Sequence, residues 1–213
     1  YFIDKVSISR DAKRVAILSE NPAVTLISII GCNRMSKIPI VMPSDNLLSK
    51  ECLEVTDYDC VIKEKDCIIQ YKQKSKYYAY KYNDEDVQCV LFTSGASSLP
   101  KGVELTFSNI NYSCVNWSNV YDFKESDIYL NILPLHHISG LSIFFRSLYA
   151  NCHLIIERYK KENILDLISS NNITCLSIVP KILYDLKDDD NAVSTIKNIR
   201  FLLVGGDSIS ESI

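Results

Sequence analysis

Glycine is scarce in this chain of 213 residues: there are six, alongside six prolines, three histidines and a single tryptophan. No apolar stretch approaches the ~20 residues that a membrane-spanning helix requires. No basic segment followed by an apolar one marks a signal peptide. The formal net charge is only −3, which gives no electrostatic reason to expect nucleic acid or an anionic membrane as partner. The acidic run Asp188, Asp189 and Asp190 is too short for an interaction tail and reads as a solvated loop. Cysteine is the exception to this scarcity, with Cys32, Cys52, Cys60, Cys67, Cys89, Cys114, Cys152 and Cys175. None stand in CxxC spacing and most lie in apolar runs such as QCVLF and TCLSIV, so no disulfide framework or zinc site is expected. Buried reduced thiols in a cytoplasmic protein fit best. The first residue is tyrosine, so the start is expected to be processed, trimmed or not included.

The remaining composition, 47% hydrophobic and 23% charged, is that of an ordinary globular protein with a core needing no covalent staples. Short β-branched or apolar runs alternate with helical segments, the pattern of an α/β protein with helical crossovers. RVAILS (14–19) predicts a strand, and Asn21-Pro22 then supplies a cap and a first-turn proline for a helix over 22–33. IPIVM (38–42), a helix near 46–55 and a strand at 59–62 follow. Residues 64–86, charged and tyrosine-rich, predict an irregular or edge-strand connection. VQCVLFT (87–93) is a continuous apolar strand, buried on both faces. A loop from Ser94 to Gly102, a strand VELT and a helix capped by Ser108 and reaching Tyr121 come next. IYLNIL (128–133), an amphipathic helix over 139–150, HLII (153–156), a helix at 160–169, TCLSIV (174–179), a helix from Pro180 and IRFLLV (199–204) complete the alternation.

The few glycines are not scattered. Gly95 and Gly102 flank one loop, Gly140 opens a helix, and Gly205-Gly206 end a strand, leaving only Gly31 elsewhere. Strand-to-loop junctions are where α/β sheets bind ligands. The loop TSGASSLPKGV offers the hydroxyls of Thr93, Ser94, Ser97 and Ser98, backbone N–H groups, and the ammonium of Lys101. Such donors suit anionic oxygens, at about 1.5–3 kcal/mol for each charged hydrogen bond. A Walker A loop is excluded, because Lys101 lies between Pro100 and Gly102 instead of opening a helix. Composition alone leaves a phosphate cradle and a polar surface turn about even.

TSGASSLPKGV resembles the phosphate-binding signature of the adenylate-forming superfamily, TSGTTGxPKGV. LPLHHISGL resembles that family's LPLFHISGL-type segment, and IVPKILYDL with FLLVGGDSIS resembles its VPTML and LLxGGAPL stretches. RVAILSENPAVTLISIIGC is similar to its opening segment. The resemblance covers most of the chain. It implies part of a large N-terminal AMP-binding domain built of layered sheets with helical crossovers. Residues 1–86 would form a first sheet region, and 87–213 the phosphate-loop and acyl-pocket region. It also implies activation of a small-molecule carboxylic acid with ATP and Mg2+ to an acyl-adenylate, then transfer to coenzyme A.

Carried over by position, Thr93, Ser94, Gly95, Ser97, Ser98, Lys101 and Gly102 would wrap the phosphates. Lys101 and His137 would be the catalytic residues here. His137 would border acid and nucleotide, and Gly205, Gly206 and Asp207 would line the substrate. No metal ligand is implied within the sequence, and a homo-oligomer is left open. Of the remaining residues, His136 and His153 read as core histidines, Arg146 as a solvated helix face, and Trp117 as packing.

The family's TTG is Ala96-Ser97-Ser98 here, which removes a hydroxyl and a glycine and weakens the expected hold on ATP. The family's YGxTE segment, ribose-binding aspartate, hinge and small C-terminal domain with its catalytic lysine are expected beyond Ile213. The 213-residue chain is therefore not expected to complete the reaction alone. PLHHISGLSIFFRSLYANCHLII resembles the o-succinylbenzoate–CoA ligase branch, which belongs to menaquinone biosynthesis. The alternatives are another acyl- or aryl-acid–CoA ligase, or a degenerate, non-catalytic nucleotide- or acyl-binding domain. A generic phosphate-binding α/β domain would require the later motifs to be coincidence.

Overall fold

A computed structural model describes residues 8, 9, 11–66, 81–93 and 99–209. The chain divides into two compact units, Tyr1–Tyr112 and Ser113–Ile213. The first contains β1 (Arg14–Leu18), α1 (Pro22–Arg34), β2 (Ile38–Val41), α2 (Asn46–Glu54), β3 (Cys60–Lys63), a 3-10 turn at Glu64–Asp66, β4 (Val87–Thr93) and β5 (Lys101–Thr106). The strands form one sheet in the order β3-β1-β2-β4-β5. All neighbours run parallel except β4 and β5, which form an antiparallel pair. Cys67 and most of the tyrosine-rich connection over 64–86 lie outside the described residues.

Local chemistry explains the helix starts. The Asn21 side chain accepts from the N–H groups of Ala23 and Val24, with Pro22 in the first turn; Asp45 does the same for Leu47 and Leu48 ahead of α2. Adjacent residues of β1 serve opposite faces. Val15 packs with Val24, Cys32 and Ile62, whereas Ala16 packs with Ile40, Met42, Cys52 and Val90. A parallel strand covered on both faces reads as an unbroken apolar run, and RVAIL is one.

The second unit holds β6 (Ile128–Asn131), α4 (Ile138–Ala150), β7 (His153–Ile156), α5 (Ile164–Ser170), β8 (Cys175–Ile178), α6 (Pro180–Leu186), α7 (Ala192–Ile196) and β9 (Phe201–Val204). The chain passes between the units within α3 (Phe107–Val120). Its sheet has the order β7-β6-β8-β9 and is parallel throughout. Tyr129, Leu130, Ile143, Ile164, Leu176 and Ile178 anchor its core. Burying each aliphatic side chain of this kind contributes about 1.5–3 kcal/mol.

Several element ends differ from the sequence expectation. The cap of α3 is Thr106, not Ser108: Thr106 Oγ1 accepts from Asn109 N–H at 3.3 Å while Asn109 Oδ1 accepts from Thr106 N–H at 3.0 Å. That reciprocal pairing satisfies two donors and fixes the start two residues earlier. The helix expected over 160–169 begins only at Ile164. Of the cysteines, the seven described are all free thiols. Burial raises the Cys32 and Cys89 thiols to about 12, which leaves them protonated. Among the described residues, no helix is long and apolar enough to cross a membrane.

Candidate functional site

The phosphate-loop segment is the connection of the β4–β5 hairpin. Thr93 ends β4 and pairs across the ladder with Lys101, and Phe92 pairs with Gly102. Lys101 and Gly102, expected in the loop, are therefore the first residues of β5, because antiparallel pairing with β4 continues to Thr93. Gly102 has a packing reason: a Cβ there would stand 3.2 Å from Val90 Cγ1 and 3.5 Å from Phe92 Cε1. Thr93 and Lys101 are exposed while Pro100 is buried, so the hairpin presents a hydroxyl and an ammonium side by side where β4 ends and β5 begins. Ser94, Gly95, Ala96, Ser97 and Ser98 lie outside the described residues.

Elsewhere in the first unit, the turn after β1 is already occupied by an anion from the chain itself. Glu64 Oε2 accepts from Ser19 Oγ (3.1 Å), Glu20 N–H (3.1 Å) and Asn21 N–H (3.0 Å). With Asn21 Oδ1 accepting from Ala23 and Val24 N–H, the donors of this turn and of the helix start are satisfied internally.

In the second unit, β6 and β9 lie on either side of β8 and run parallel to it, so the turns after all three leave one edge of the sheet. His137 lies in the turn after β6; Gly205, Gly206 and Asp207 follow β9. Gly206 has φ +94°, a conformation that side chains rarely adopt, whereas nothing lies within 4 Å of a Cβ built on Gly205. Asp207 accepts from Ser208 N–H at 2.7 Å and is exposed.

His137 occupies the cap position of α4, but its side chain makes no capping bond. Its ring is exposed and lies against His136, with centroids 4.2 Å apart. Burial, then the neighbouring His137, holds the His136 pKa at about 4; desolvation also lowers that of His137. Both rings are neutral at neutral pH. His136 is half-buried and His153 is exposed at the start of edge strand β7. Neither is the core histidine expected, because β6 ends at Asn131 and β7 borders only β6.

The helix face carrying Arg146 is also not the solvated face expected. Its guanidinium lies 3.9 Å from the Trp117 ring centroid and is half-buried, with Nε buried and lacking a hydrogen-bond partner. Burial lowers its pKa, against the favourable pull of Tyr129. Trp117, read as packing, stacks on Tyr121 at 4.7 Å as well as under Arg146. Asn131 was not singled out by the motifs, although a polar residue inside the apolar run IYLNIL is a visible signal. It is fully buried, and its amide spans the β6–α4 turn. Among the described residues, no group of three or more His, Cys, Asp or Glu could hold a metal ion.

The AMP-binding enzyme family matches residues 43–213, and the chain belongs to that family. More particularly, it is similar to 2-succinylbenzoate–CoA ligases. That of Bacillus subtilis (strain 168) is 35% identical over 118 residues, covering 55% of this chain and 24% of the relative. That of Lactococcus lactis subsp. lactis (strain IL1403) is 26% identical over 221 residues, covering 93% of this chain and 46% of the relative. The chain thus spans less than half the length of these curated relatives. The o-succinylbenzoate CoA synthetase of Bacillus subtilis, in complex with the acyl-adenylate intermediate OSB-AMP, shares the fold. It superposes with TM-score 0.80 at 23% identity, over 97% of this chain and 58% of that one.

Proposed function

We propose that the protein activates a carboxylic acid with MgATP and passes the acyl group to coenzyme A, with 2-succinylbenzoate as the acid. The observation that carries this reading is the likeness to 2-succinylbenzoate–CoA ligases, which reaches across 93% of the chain in the Lactococcus relative. In the first step a carboxylate oxygen attacks the α-phosphorus and pyrophosphate leaves, giving the acyl-adenylate. In the second the coenzyme A thiol attacks the acyl carbon and AMP leaves.

Residues 1–213 would form part of the N-terminal AMP-binding domain, with 87–213 carrying the phosphate-loop and acyl-pocket region. Thr93, Ser94, Gly95, Ser97, Ser98, Lys101 and Gly102 would hold the β- and γ-phosphates and stabilise the charge that grows on the leaving group. Magnesium arrives with the nucleotide as part of the substrate. Neutral His137 would border the acid, and Gly205, Gly206 and Asp207 would let substrate approach the backbone. Seven free thiols suit a reducing compartment, and we place the protein in the cytoplasm.

The native gene product carrying this sequence, given MgATP, coenzyme A and 2-succinylbenzoate, should release pyrophosphate and form a thioester. Turnover confined to medium- or long-chain fatty acids would keep the family and refute the acid. The departures at Ala96 and Ser98 favour a second reading, a nucleotide-binding protein without turnover. Retained ATP binding with no pyrophosphate release from aromatic, succinylated or fatty acids would establish that second reading.

A further inference from the structure

The turn between β6 and α4 is held closed by one side chain. Asn131 is 0% exposed. Its Nδ2 donates to the Gly140 carbonyl at 2.9 Å, and its Oδ1 accepts from Leu133 N–H at 3.1 Å. Its own carbonyl accepts from Glu157 N–H at 3.0 Å, at the end of β7. One residue therefore ties the strand end, the beginning of the turn and the first turn of the helix. No other residue type of this size supplies both a donor and an acceptor at those positions: aspartate has no donor when ionised, and leucine has neither.

His137 lies inside the closed turn. Its N–H donates to the Pro134 carbonyl at 3.1 Å, and its carbonyl accepts from Gly140 N–H at 3.1 Å and Leu141 N–H at 3.0 Å. The fit is tight. A Cβ on Gly140 would stand 2.3 Å from Pro134 O and 2.6 Å from Leu133 O, so backbone approaches backbone with no room to slide. With no capping bond from its own ring, His137 takes its placement from the backbone of this turn. Displacing the Gly140 carbonyl moves the two N–H groups of the helix start that hold the His137 carbonyl.

We infer that Asn131 is a positioning residue, whose amide sets where the His137 imidazole stands without itself touching substrate. The inference rests on the proposed reading in which His137 borders the acid. Preorganised placement of this kind is worth much in rate, since small misplacements cost up to about 100-fold.

The test compares Asn131→Ala and Asn131→Asp in the native gene product. In Asn131→Ala, kcat/KM for 2-succinylbenzoate should fall about 10- to 100-fold, mostly in kcat. The ATP dissociation constant should not change, and the His137 ring resonance in NMR spectra should shift. In Asn131→Asp, activity relative to wild type should recover on acidification, because a protonated carboxyl donates to the Gly140 carbonyl and an ionised one repels it. Should Asn131→Ala not fold, this pH dependence of Asn131→Asp carries the test. Wild-type activity per folded molecule and an unmoved His137 resonance, with only a lower unfolding midpoint, would overturn the inference. If the native protein activates no acid, the function reading falls while a shifted His137 resonance in a folded variant still supports the positioning; an unshifted one overturns it.

Discussion

The two units solve the same problem at the amino edges of their parallel strands, and they solve it with different depth. In the first, Asp59 precedes β3 and accepts from the N–H groups of Lys13 (2.7 Å) and Arg14 (2.8 Å) at the start of β1. In the second, Asp127 precedes β6 and accepts from Lys124 N–H (2.8 Å), Thr174 Oγ1 (2.8 Å) and Arg200 Nε (3.0 Å), with a further bond to Arg200 Nη2. Asp59 is exposed, whereas Asp127 is 2% exposed. A carboxylate in water gains little from a partner, while a buried one depends on every donor it has. The carboxyl edges differ in another way. In the first unit Glu64 fills the turn after β1, while Thr93 at the end of β4 and Lys101 at the start of β5 are exposed; in the second, the glycine turn after β9 is exposed. Each sheet is thus clamped at one edge and carries its candidate chemistry at the other.

Asp127→Asn should break the comparison most visibly. It leaves the Arg200 guanidinium without its carboxylate and should cost the second unit about 3 kcal/mol, the low end for buried pairs, because Arg200 is 32% exposed. Burial works to raise the Asp127 pKa, but the Arg200, Lys124 and Thr174 hydrogen bonds together bring it below the ordinary carboxylate value. A depressed folded pKa contributes stability that is present above the unfolded value, about 3.9, and lost as pH falls through the folded one. Wild type should therefore lose more stability than the variant below about pH 4. Trp117, the single tryptophan, lies in the second unit and reports its urea unfolding directly. Equal midpoints at pH 7 would refute the weight given to burial.

Next in size is Lys101→Ala, which should weaken ATP binding to the native gene product about tenfold, or about 1.4 kcal/mol. Glu64→Gln should leave that affinity unchanged, since the donors of that turn are already taken within the chain. Titration calorimetry on the two variants decides which turn of the first unit is open to phosphate. A loss in Glu64→Gln with none in Lys101→Ala would reverse the assignment.

The smallest effect should come from Asp59→Asn. The backbone N–H groups of Arg14 and Lys13 lower the Asp59 pKa, so its contribution has the same sign and is likewise lost in acid. Being exposed, it should move the unfolding midpoint less than Asp127→Asn does, as followed by circular dichroism. A larger shift than for Asp127 would show that strand-end geometry, not burial, sets the strength of these clamps.

Much of this molecule was determined by sequence alone, because the determinants are local. Asn21-Pro22 starts α1 through contacts within a few residues, Gly140 falls in the first turn of α4, and the apolar runs mark the strands they form. The motifs that carry the family are equally contiguous, and residues 43–213 match it. Other features needed partners that only folding brings near. Lys101 and Gly102 joined β5 because β4 offered a ladder opposite them. Arg146 left the solvated face because Trp117, on another helix, lies beneath it. Arg200 found Asp127 from 73 residues away. Asn131 reads as an interruption of an apolar strand until the Gly140 carbonyl stands over its amide. A polar group's meaning lies in whether burial leaves it a partner, and tertiary structure alone decides which groups are buried together.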